Sequence, residues 1–76
     1  MNGSNRKYTP EILQAICREL VDLARYEENR AADQAAEVPY WRPVPPSVLG
    51  HRAAAAALRD VLTRLETELR IESLAS

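Results

Sequence analysis

Leu58-Arg59-Asp60-Val61-Leu62-Thr63-Arg64-Leu65-Glu66-Thr67-Glu68-Leu69 decides the fold, because its leucines fall at i, i+4, i+7 and i+11. That 4-3-4 step is the heptad seam of an α-helix, and a leucine seam needs another apolar surface to cover it. One other long apolar stripe exists in the chain, drawn by Ile12, Leu13, Ile16, Cys17, Leu20, Leu23 and Ala24. Arg18, Glu19, Asp22 and Arg25 lie away from that stripe, and Val21 widens it at one edge. Two stripes on two helices predict a hairpin.

The first helix announces its start at Thr9-Pro10-Glu11. Thr9 suits the N-cap, Pro10 the first helical position, and Glu11 the positive end of the helix dipole. Tyr8 is positioned to pack on Leu13 as a hydrophobic staple. Beyond Ala24, residues 26–37 still favour helix, but their apolar stripe is made of alanine, and Pro39 disfavours helical geometry at Val38. The helix is therefore predicted over about 9–37. Residues 38–46 hold four prolines in nine positions and predict a stiff, extended connector. The second helix is predicted over about 47–72, with Ser47 as its cap and the Ala53–Ala57 run near its start. Ile71 and Leu74 either extend the seam or fray. Asp60–Arg64, Arg64–Glu68 and Glu66–Arg70 offer i,i+4 pairs, each contributing a few tenths of a kcal/mol.

Similar helix lengths and a short connector predict antiparallel packing within a single all-α domain over residues 1–76. The alanine-rich half of the first helix then faces Ala53–Ala57, and Ile12, Leu13, Ile16 and Leu20 face Leu62, Leu65 and Leu69. Two helices form only one contact layer, so a chain of 76 residues sits where one core is marginal. The seam and its flanks (Leu20, Val21, Leu58, Val61, Leu62, Leu65 and Leu69) therefore predict self-association, as a homodimer forming a four-helix bundle.

Ten basic and eleven acidic residues leave a net charge of −1, which offers no general attraction to nucleic acid or anionic lipid. The arginines of the second helix are interleaved with acids, so they read as a solvated mixed-charge face rather than a groove-reading one. Nine of the ten basic residues are Arg and alanine is abundant, a composition that hints at a GC-rich genome. The lone Cys17 excludes an intrachain disulfide and favours a reducing compartment. Residues 1–8 read as a flexible polar arm with no signal peptide, and no segment has the ~20 apolar residues of a membrane span. The expected location is the cytoplasm.

Reaction chemistry is sparse. A metal centre needs three or four gathered ligands, whereas the chain has one His and one Cys, expected near opposite ends of the hairpin. His51 reads as a polar residue in the first turn of the second helix. Cys17 lies in an apolar stripe, where a thiol acts as a small hydrophobe. Gly3 and Gly50 are the only glycines, so no phosphate loop exists, and two helices enclose no deep pocket. The expectation is a non-enzymatic protein without cofactor, metal or small-molecule substrate.

The connector holds the remaining signals. Pro43-Val44-Pro45-Pro46 satisfies a P-x-x-P pattern, but prolines that simply stiffen a turn explain it as well. Tyr40, Trp41 and Arg42 are residue types enriched at binding hot spots. The competing and preferred reading makes the two aromatics a plug over the hairpin end, given how few large side chains lie there. A helical hairpin with Trp in its turn resembles, in outline, the small secreted hairpins of the WXG family. Here Arg42 and Pro43 follow Trp41, so that family's Gly is missing and no function is carried over. The expected function is a small interaction protein (a regulator, adaptor or inhibitor, phage-derived in origin) binding a protein partner or itself. The alternatives are a dimeric DNA-associated regulator and a structural subunit of a larger assembly.

Overall fold

A computed structural model describes residues 8–75, which form two α-helices, α1 (Pro10–Ala36) and α2 (Pro46–Ala75). The arm expected over residues 1–8 lies outside the described residues except for Tyr8. The helices pack side by side in a rod with Cα extents of 59 × 19 × 15 Å. Near the connector, Glu27 and Glu28 of α1 meet His51 and Arg59 of α2. Further away, Cys17 lies within reach of the Glu66 carboxylate, so the helices run antiparallel.

Helix α1 starts as the sequence predicts. Thr9 is extended and its hydroxyl accepts from the Ile12 N–H at 3.3 Å, while its carbonyl accepts from Leu13 at 3.0 Å. The far end stops one residue short of the predicted boundary, with Glu37 as C-cap and its N–H donating back to Gln34. Helix α2 differs more. The Pro45 carbonyl accepts from Val48 at 3.0 Å and from Leu49 at 3.4 Å, so Pro45 begins the helix and Pro46 takes the first position. Ser47 is thus inside the first turn and is not the cap. At the other end α2 runs to Ala75 rather than about 72.

The core follows a strict period of seven. Cys17, Ala24 and Ala31 are buried on α1, and Val48, Ala55 and Leu62 on α2, with Leu13 joining them at the open end. Between these lie half-buried positions, Leu20, Glu27 and Gln34 on α1 and His51, Leu58 and Leu65 on α2. An uninterrupted seven-residue repeat is the signature of a left-handed coiled coil. At Ala24, Ala31 and Ala55 the buried side chain is only a methyl group. The seam is narrower than the apolar stripe read from sequence. Ile12 and Leu23 are exposed, and Ile71 and Leu74 turn outward instead of extending the seam. Of the three i,i+4 pairs, Asp60–Arg64 closes, with Nη2 donating to Oδ2 at 2.8 Å.

Candidate interaction surface

The connector brings its most distinctive side chains to the tip of the rod. A turn closed by the Arg42 N–H donating to the Pro39 carbonyl at 3.0 Å reverses the chain over Tyr40 and Trp41. Their rings meet edge to face, with centroids 5.4 Å apart at an interplanar angle of 86°. Tyr40 is 97% exposed and Trp41 70% exposed, and Arg42 is exposed beside them. The plug preferred on sequence grounds is therefore overturned. The physical reason is that smaller groups close the hairpin end: Val48 is fully buried, and Val38, Pro39 and Pro45 are half-buried.

The seam residues named from sequence fall into three groups. Leu62 is buried; Leu20, Val21, Leu58, Leu65 and Leu69 are half-buried; Val61 is exposed. Three polar seam residues escaped the sequence reading, which followed apolar residues alone. Glu27, Gln34 and His51 occupy heptad positions that the period of seven would have exposed. His51 Nδ1 and Glu27 Oε1 lie 2.5 Å apart across the seam, so the polar residue expected in the first turn of the second helix is an interhelical partner. The side chain of Gln34 places its Oε1 in the interior without a hydrogen-bond partner.

The two broad faces of the layer are chemically different. Extending the heptad from the seam places Arg25, Glu28, Arg52, Arg59 and Glu66 on one face, with Val21 and Leu49 as its apolar members. There Arg59 grips Glu28 with two hydrogen bonds, Nε to Oε2 at 2.6 Å and Nη2 to Oε1 at 2.8 Å. That bidentate grip, aided by the positive charges of Arg59 and Arg25, holds the Glu28 carboxyl below its ordinary range, and the same bridge raises Arg59. The opposite face carries Ile16, Leu23, Ala54 and Val61, flanked by Ile12, Tyr26 and Ala57. Leu23 is 49% exposed and Val61 42% exposed, level with one another on facing helices.

Cys17 is inside the seam. Burial, and secondarily the Glu66 carboxylate, pushes its thiol above the ordinary value, which suits packing better than nucleophilic chemistry. Among the described residues no three His, Cys, Asp or Glu side chains gather as a metal-binding set. No described helix is long and apolar enough to cross a membrane.

No protein-family model, curated protein or solved structure matches this chain.

Proposed function

We propose that this protein is a non-enzymatic interaction module, a helical hairpin that presents Tyr40, Trp41 and Arg42 to a protein partner and pairs with itself into a four-helix arrangement. The observation that carries the reading is the outward aromatic pair at the tip, 97% and 70% exposed in a turn closed by a backbone hydrogen bond. Exposing two large rings to water is unfavourable, by about 25 cal/mol for each Å² of apolar surface left wet. A partner's apolar cleft removes that cost, and the cation of Arg42 favours a cleft with an acidic rim. The role that fits is a regulator, adaptor or inhibitor.

The test compares partner capture from the native host by immobilised wild-type protein and by Trp41→Ala, with helicity of both checked by circular dichroism. Capture of a specific protein that disappears with Trp41→Ala supports the reading. An identical set of captured proteins from both, or none from either, overturns it.

A further inference from the structure

We infer that the run Arg42-Pro43-Val44-Pro45-Pro46 is a polyproline II ligand, which the partner at the tip receives in an aromatic-lined groove. The inference rests on the protein-partner reading above and names the chemistry of that partner's groove.

The run is shaped by its own stereochemistry. Arg42, Val44 and Pro45 each precede a proline, which disfavours helical geometry at all three. The rings fix φ at about −65° for Pro43, Pro45 and Pro46. Residues 43–45 accordingly belong to no helix, strand or turn. Helix α2 begins at Pro46, but this alters only the backbone that follows its ring. Both ends of the run are pinned. The Arg42 N–H donates to the Pro39 carbonyl at 3.0 Å, and the Pro45 carbonyl accepts from Val48 and Leu49. A partner therefore meets a segment already ordered, and little entropy is lost on docking.

Polyproline II geometry has three residues per turn, so Pro43 and Pro46 share one edge, roughly 9 Å apart. Both are exposed, and Val44 between them is 45% exposed, while Pro45 is half-buried on the hairpin end. No backbone N–H of the described residues donates to the carbonyls of Arg42, Pro43 or Val44. Those oxygens are open to the indole and phenol donors of an aromatic groove. Arg42 is exposed at the start of the run, where a carboxylate at the groove's end would meet it.

The other ways of reading a peptide segment fit poorly. Strand addition needs a row of N–H donors, and residues 43–46 own one, that of Val44. Docking as a helix in a groove needs a helix, which residues 43–45 do not form. Stiffening of the turn accounts for half-buried Pro45 and for Pro46, which opens α2. Pro43 is exposed and outside both helices.

The test titrates the isotope-labelled full chain with a panel of purified WW and Src-homology-three domains, followed by nuclear magnetic resonance. At least one domain is expected to shift the Val44 amide and the Trp41 indole signal saturably. Pro43→Ala and Pro46→Ala are each expected to weaken that binding by about tenfold or more, with Ser47→Ala unchanged. Circular dichroism checks that helicity is kept, and Pro43→Ala, lying outside both helices, remains decisive if Pro46→Ala frays α2. No shift at the connector with any domain, or equal binding by wild type and Pro43→Ala, overturns the inference. A host partner lost with Trp41→Ala but kept by Pro43→Ala also overturns it, while leaving the tip as a protein-binding site.

Discussion

Replacing Glu27 and His51, singly and together, tests whether the seam is held in register by a polar pair. The two side chains meet at 2.5 Å and are each about three-quarters buried, with exposures of 23% and 26%. A hydrogen bond to a charged group contributes about 1.5–3 kcal/mol when well shielded, and an exposed ion pair about 0–1 kcal/mol. Partial exposure sets the coupling between them, at about 1 kcal/mol. Glu27→Leu alone leaves the imidazole in the seam without its acceptor, so its gain in apolar cover is largely cancelled. Glu27→Leu with His51→Leu removes both polar groups and completes a leucine seam, which is predicted to stabilise the fold by about 1–2 kcal/mol. The assay is urea unfolding followed by circular dichroism at one fixed protein concentration, because self-association would otherwise shift the midpoint. Non-additivity of about 1 kcal/mol in the double-mutant cycle is the expected result. Additive effects would refute the pair and, with it, the reason given for polar residues at these two seam positions.

Other consequences follow from single groups. Gln34→Leu removes a buried amide oxygen that has no partner, so it is expected to raise the unfolding midpoint by about 1 kcal/mol equivalent, and a lower midpoint would show that the amide is satisfied in solution. The Glu28 carboxyl has a folded value lowered by Arg59, so its contribution is fully present above the ordinary carboxylate value of 4.5 and is lost as pH falls through the lower folded value. Acid titration of stability is therefore expected to lose part of its slope below pH 4.5 in Glu28→Gln, and an unchanged profile counts against the bridge. Cys17 is buried with its thiol pushed up, so an aromatic disulfide reagent is expected to label it slowly at mildly alkaline pH and rapidly in urea. Equal rates would mean that the seam is open at its wide end.

Much of the hairpin is legible in the sequence because its signals are local. Thr9-Pro10 marks a helix start by hydrogen bonding that needs no tertiary context, and the proline-rich connector stops α1 within one residue of its predicted end. The heptad of Leu58, Leu62, Leu65 and Leu69 correctly demands a partner helix, which α1 supplies. The errors arise where a side chain's fate depends on the gap left between helices. Trp41 looks like a plug when counted by its own area, yet the groups covered at that end are Val48 and, in part, Val38, Pro39 and Pro45. Glu27 and His51 were hidden for the opposite reason. A search for apolar residues passes over a polar pair whose members satisfy each other across the seam. Leu23 and Val61 belong on sequence grounds to apolar stripes, and only their exposure in the packed hairpin shows that they flank the contact instead of filling it.

The tip is the point on which the functional reading turns, and Trp41 is the only tryptophan in the chain. Its fluorescence in the isolated protein therefore reports the tip directly, with acrylamide quenching as the accessibility measure. The account predicts a water-like emission maximum and quenching close to that of free tryptophan. A blue-shifted emission protected from the quencher would contradict it, placing the indole inside the fold and removing the surface offered to a partner.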